Sequence, residues 1–91
     1  MLNPKPNAAE IRLTIHRTIA ELVERSGKPA RPIADDDLLV DTGLASLDLA
    51  ALVARLERLW KIDPFLEAVA ITEIRTVGDF CRVYRDFIDR A

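Results

Sequence analysis

The chain has one cysteine, Cys81, and one histidine, His16. A single thiol excludes an internal disulfide framework and a cysteine-rich zinc site. Aromatic residues make up only 5% of the sequence. The core must therefore be aliphatic, built from Leu, Ile, Val and Ala, and that favours helices. No apolar run approaches the roughly 20 residues that cross a bilayer. The opening residues, MLNPKPNAAE, contain no apolar signal core. Neither membrane insertion nor export is expected, and a cytoplasmic location is. An excess of basic residues is missing too: the formal net charge is −2, with both signs mixed along the chain. Nucleic-acid binding, which displaces counterions with a basic face, does not fit that balance. What is present is a globular composition, 49% hydrophobic and 31% charged, in 91 residues, the size of one small domain.

The apolar residues recur at helical spacing and nowhere alternate as in strands. Residues 1–7, with two prolines, are expected to form a flexible lead-in, and residues 8–91 the domain. Asn7, three residues before Glu10, resembles a capping box. Ile11, Ile15, Ile19, Leu22 and Val23 then predict a helix from about Ala8 to Ser26, closed by Gly27 and Pro29. Residues 27–45 read as a long loop. Within it Asp35 is expected to cap a short turn whose Leu38, Leu39 and Val40 pin the loop to the core. A second helix starts at or just after Ser46 and ends near Lys61, with a core stripe of Leu49, Leu52, Val53, Leu56 and Trp60. Asp63-Pro64 opens a short third helix through about Ala70. Thr76-x-x-Asp79 resembles a second capping box, before a helix over 77–90 with the stripe Val77, Phe80, Cys81, Tyr84, Phe87 and Ile88. The fold class is all-α, a small four-helix bundle with a long loop between helices I and II and a short helix III.

Catalytic parts are scarce. His16 has no evident carboxylate or serine partner and reads as a surface or boundary residue. Cys81 falls on an apolar stripe, with nothing nearby to lower its pKa, and reads as structural. The run Asp35-Asp36-Asp37 lacks the glycine and terminal glutamate of a calcium loop. No metal site and no phosphate-binding glycine loop is expected. The chain is not expected to be an enzyme. The second helix also lacks the base-reading side chains of a helix-turn-helix recognition helix. Ser46, at the gate of an apolar helix, is open to two readings: a helix cap, or a point of attachment.

The stretch 43-GLASLDLAALVARLERLW-60, with the helix order and the long first loop, resembles the acyl carrier protein superfamily. That family's pattern is Gly-x-Asp-Ser-Leu followed by an amphipathic helix ending in an aromatic residue. Gly43, Ser46, Leu47, Asp48, Leu52, Leu56, Glu57 and Trp60 stand in the matching positions. Farther on, 76-TVGDF-80 resembles the opening of the family's last helix, and the likeness spans about residues 8–90.

The resemblance implies a carrier whose Ser46 is joined to 4′-phosphopantetheine, taken from coenzyme A by a phosphopantetheinyl transferase; with little sequence outside the fold, it is expected to be free-standing. The arm's thiol holds an acyl or aminoacyl group as a thioester. An acyl- or aminoacyl-loading ligase and a downstream synthase or transferase are the implied partners, and the carrier is expected to be a monomer. A helix N-terminus suits a phosphodiester, because its free N–H groups and dipole favour an anion. Two positions depart from the family pattern. Ala45 replaces the usual Asp, which removes an anion beside the attachment point. From Ser46 to Lys61 there are two acids and three bases, so the helix is not the acidic docking face of fatty-acid carriers. The expected docking surface is more apolar. It comprises Leu47, Asp48, Ala51 and Ala54, with Leu49 and Ala50 beside them and Arg55 or Arg58 meeting a partner carboxylate. That points to a specialised pathway rather than primary fatty-acid synthesis. The alternative is an unmodified helical interaction module of the same fold.

Overall fold

Asn7 opens the first helix, α1, which spans Ala8–Arg25. Its Oδ1 accepts the Glu10 N–H at 2.8 Å, satisfying one of the amides that a helix start leaves unpaired. Ile11, Ile15, Ile19, Leu22 and Val23 are all buried. The structure, a computed structural model, describes residues 5–29, 31–67 and 73–90. The second helix, α2, spans Ser46–Trp60. Leu52 and Leu56 lie fully inside, while Leu49, Val53 and Trp60 pack partly against the same core. Lys61 ends α2 in the left-handed conformation at φ 63°, a position usually given to glycine.

A short helical turn, α3, covers Pro64–Glu67. Asp63 starts it by accepting the Phe65 N–H at 3.0 Å. The expected continuation to Ala70 falls outside the described residues. The last helix, α4, spans Val77–Arg90. Its capping box is reciprocal: the Asp79 N–H donates to Thr76 Oγ1 at 3.0 Å, and the Thr76 N–H donates to Asp79 Oδ2 at 3.2 Å. The Thr76 amide holds the Asp79 carboxyl below its usual range of about 3.8 although burial opposes ionisation.

α1 packs against both α2 and α4, and α3 packs on α4. Four rings join the ends of α2, α3 and α4. Tyr84 lies 5.0 Å from Phe80, 5.7 Å from Trp60 and 6.0 Å from Phe65, measured between ring centroids. Tyr84 is fully buried and its hydroxyl has no hydrogen-bond partner among the described residues. Burial, with the charges of Asp63 and Glu57, pushes its pKa up.

The connection between α1 and α2 is docked on the start of α4. The Val77 and Gly78 N–H groups, which no helical carbonyl can accept, donate to Asp37 O at 2.9 Å and Asp35 O at 2.8 Å. Leu39 N–H donates to Arg75 O at 2.9 Å, and Leu38 pairs with Thr76 in an isolated antiparallel bridge. Gly78 permits this approach, since a Cβ there would stand 3.1 Å from Asp35 O. Two expectations are corrected. Asp35 does not cap the turn: its carboxylate reaches Arg12 and His16 of α1, and the turn over Leu39–Asp41 has no side-chain cap, while Asp37 Oδ2 accepts the Ala34 N–H behind it at 2.9 Å. Of the three apolar loop residues only Leu39 is buried, in a one-turn 3₁₀ helix over Leu39–Asp41, while Leu38 and Val40 are exposed. The bridge to Thr76 turns Leu39 inward and its neighbours out.

Candidate functional site

The approach to Ser46 is rigidly built. Thr42 is buried, and its hydroxyl donates to Leu39 O at 2.7 Å. Gly43 follows with φ +100°, a value that an L side chain rarely adopts. Its carbonyl accepts from Lys28 Nζ at 2.8 Å, and Arg31 donates to the carbonyl of Asp41. Leu44 is half-buried against the core. These contacts fix the direction in which α2 begins.

Ala45 is the residue at the cap position, in extended backbone with φ −83° and ψ 167°. An alanine has no acceptor, so the usual cap bond is missing. Asp48 supplies the other half of a capping box by accepting the Ala45 N–H at 3.2 Å. Ser46 is then the first helical residue, and it is exposed. It does not occupy the cap position that the sequence allowed for it. The alanine just before Ser46 hid this, because a register with serine as cap reads equally well.

Beside Ser46 lies a small, mostly apolar cleft of about 110 Å³, lined by Leu39, Val40, Leu44, Ala45 and Leu49. An exposed hydroxyl, a helix start rich in free amides and an adjoining apolar cleft fit a phosphodiester-linked arm. Ala45 itself brings no charge to the space before the serine, and the nearby carboxylate is that of Asp48 on the Ala45 N–H.

The outer face of α2 divides the expected docking residues. Leu47 is 85% exposed, and Ala50, Ala51, Ala54 and Arg58 are exposed with it. Asp48 is half-buried over the helix start. Leu49 turns partly into the core, as its place on the core stripe requires. Arg55 is engaged within the molecule: its Nη1 donates to Glu21 Oε2 of α1 at 2.7 Å. That pairing was hidden in the sequence because the two residues lie 34 positions apart.

His16 is not the isolated histidine that the sequence suggested. Its Nε2 stands 2.7 Å from Asp35 Oδ1, while Arg12 Nε donates to Asp35 Oδ2 at 2.8 Å. Burial disfavours the Asp35 carboxylate. The hydrogen bonds from His16 and Arg12 and the Arg12 charge outweigh that and hold its pKa below 3.8. Cys81 is half-buried, and burial, with the Asp35 charge, pushes its thiol up to about 12. A thiol so placed is a poor nucleophile. No helix among the described residues is long and apolar enough to cross a membrane.

No family model matches the chain, and no curated protein matches it. Among solved structures it is similar to the solution structure of MacpD, an acyl carrier protein from Pseudomonas fluorescens involved in mupirocin biosynthesis. The two are 38% identical over 86% of this chain and 70% of that one, with a TM-score of 0.75. A helical domain that presents an exposed serine at the start of its second helix is the frame of a carrier. The chain belongs to the acyl carrier protein family.

Proposed function

We propose that this protein carries an acyl or aminoacyl group in a specialised biosynthetic pathway, on a 4′-phosphopantetheine arm joined to Ser46. The observation that carries the reading is the placement of Ser46. It is exposed, it is the first residue of α2, and it stands beside an apolar cleft. When bound, the arm supplies a terminal thiol for thioester chemistry. The chain's own residues do the rest. Gly43 and Thr42 set the angle of the helix start, and the free amides of Leu47 and Asp48 favour an anion on the Ser46 oxygen. Leu39, Val40, Leu44 and Leu49 offer an apolar surface beside the attachment point.

The docking face is Leu47, Ala50, Ala51 and Ala54, with Arg58 as its exposed cation. Its partners are a phosphopantetheinyl transferase, a loading ligase and a downstream synthase or transferase. A face this poor in acid does not rely on the acidic steering of fatty-acid carriers. The similarity to MacpD, a carrier named for mupirocin biosynthesis, supports the same assignment to a specialised pathway. Incubation with coenzyme A and a broad-specificity transferase tests the proposal. Intact mass should rise by one phosphopantetheine in the wild type and not in Ser46→Ala. An equal rise in Ser46→Ala refutes Ser46 as the site.

A further inference from the structure

We propose that His16, Asp35 and Cys81 form a binding site for a zinc-class divalent cation where α1, the connecting loop and α4 meet. One donor atom from each residue lies within 4.8 Å of the other two. The three come from separate parts of the chain, and the fold alone brings them together. A tetrahedral zinc with ordinary bond lengths sets its ligands roughly 3.3–3.7 Å apart. His16 Nε2 and Asp35 Oδ1, now 2.7 Å apart, need to open by less than about 1 Å to admit the ion, and the thiol needs to close by a similar amount.

The donors select the metal. One imidazole, one carboxylate and one thiolate suit zinc or cobalt, whereas calcium and magnesium take oxygen alone. The surroundings orient these ligands. Arg12 holds Oδ2 of Asp35 and leaves Oδ1 directed at His16, the kind of outer hydrogen bond that fixes a metal ligand. The Asp35 backbone is fixed by the Gly78 N–H at 2.8 Å. A cavity of about 330 Å³ opens beside Asp35 and Cys81, with Asp36 and Thr76 in its wall, so water can complete the coordination. Two further arginines line this cavity, but Arg82 pairs with Asp79 and Arg85 with Asp86. A bound ion would fasten the loop that leads to Ser46 to both α1 and α4.

The inference is independent of the arm at Ser46, and the test keeps it so. The untagged full chain is prepared unmodified and checked by mass. Cys81 is then its one thiol, so a thiolate-to-metal charge-transfer band reports that residue alone. Titration with Co²⁺ should give one saturable site with this band and the visible bands of a tetrahedral ion, reversed by Zn²⁺. Cys81→Ser should lose the charge-transfer band. His16→Gln should weaken binding by more than the roughly 10–100-fold that losing an outer-shell partner costs. Zn²⁺ should raise the melting temperature of the wild type and not of His16→Gln, with circular dichroism showing both folded. A titration without the charge-transfer band, or equal Co²⁺ affinity in wild type and His16→Gln, overturns the site and leaves only surface carboxylates holding the metal.

Discussion

Replacing Ala45 with Asp should stabilise the protein. Ala45 holds the backbone geometry of a helix cap, φ −83° and ψ 167°, with no side-chain acceptor to use it. An aspartate there can accept an amide N–H of the first turn, worth about 1 kcal/mol relative to alanine. Its charge at the positive end of α2 adds roughly 0.3–1 kcal/mol. Asp48 works against the change, because its carboxylate already accepts the residue-45 N–H at 3.2 Å. Two carboxylates in one turn repel by about 0.2–0.5 kcal/mol. The net gain is about 1 kcal/mol, which for a domain of this size raises the melting temperature by roughly 4–8 °C. Thermal unfolding followed by far-ultraviolet circular dichroism measures it at neutral pH. Ala45→Asn, with an acceptor but no charge, should recover the cap part. An unchanged or lower melting temperature in both variants would refute the placement of Ala45 at the cap and of Ser46 one residue inside the helix.

The remaining expectations concern acid, the core and the docking face. Asp35 and Asp79 have folded pKa values below 3.8. Their stabilisation is therefore complete above the unfolded value and is lost as pH falls through the folded values. Asp35→Ala should cost only about 1 kcal/mol, since Arg12 and Asp35 are 59% and 41% exposed and such pairs are screened. It should also flatten the acid limb of stability against pH; an unaltered limb would contradict the assignment. Phe80→Ala, fully buried against Phe65 and Tyr84, should cost about 3–5 kcal/mol in urea unfolding, and a loss below about 1 kcal/mol would remove Phe80 from the core. Leu47→Asp should leave the melting temperature nearly unchanged while weakening transfer to partner enzymes. Unfolding of that variant would mean that Leu47 is core.

The helices were legible in the sequence because each carries a clean apolar stripe. Ile11, Ile15 and Ile19 on α1, and Val77, Phe80 and Tyr84 on α4, are all buried where the spacing put them. The caps by Asn7 and Thr76 were equally readable, since a cap is a local bond between residues three apart. The connecting loop was harder to read. Whether Asp35 caps a turn or reaches α1 depends on a contact across 19 and 23 positions, which no local pattern records. The same holds for Arg55, expected to meet a partner and found on Glu21. At the candidate site the sequence placed the start of the second helix at or just after Ser46, and the helix begins at Ser46; what it left open was whether Ser46 is the cap or the first helical residue. A serine beside an alanine reads as the cap, yet the backbone gives that position to Ala45.

The most direct measurement of the central claim is the intact mass of the protein purified from its own host, followed by fragmentation of the peptide that carries residue 46. There the modifying enzyme is whichever one normally serves this chain, so Ala45 cannot mislead the result. The account predicts one 4′-phosphopantetheine, with or without a thioester-bound acyl or aminoacyl group, on Ser46. A protein whose Ser46 is wholly unmodified, or whose arm sits on another residue, would contradict it and leave the apolar face of α2 as an interaction surface.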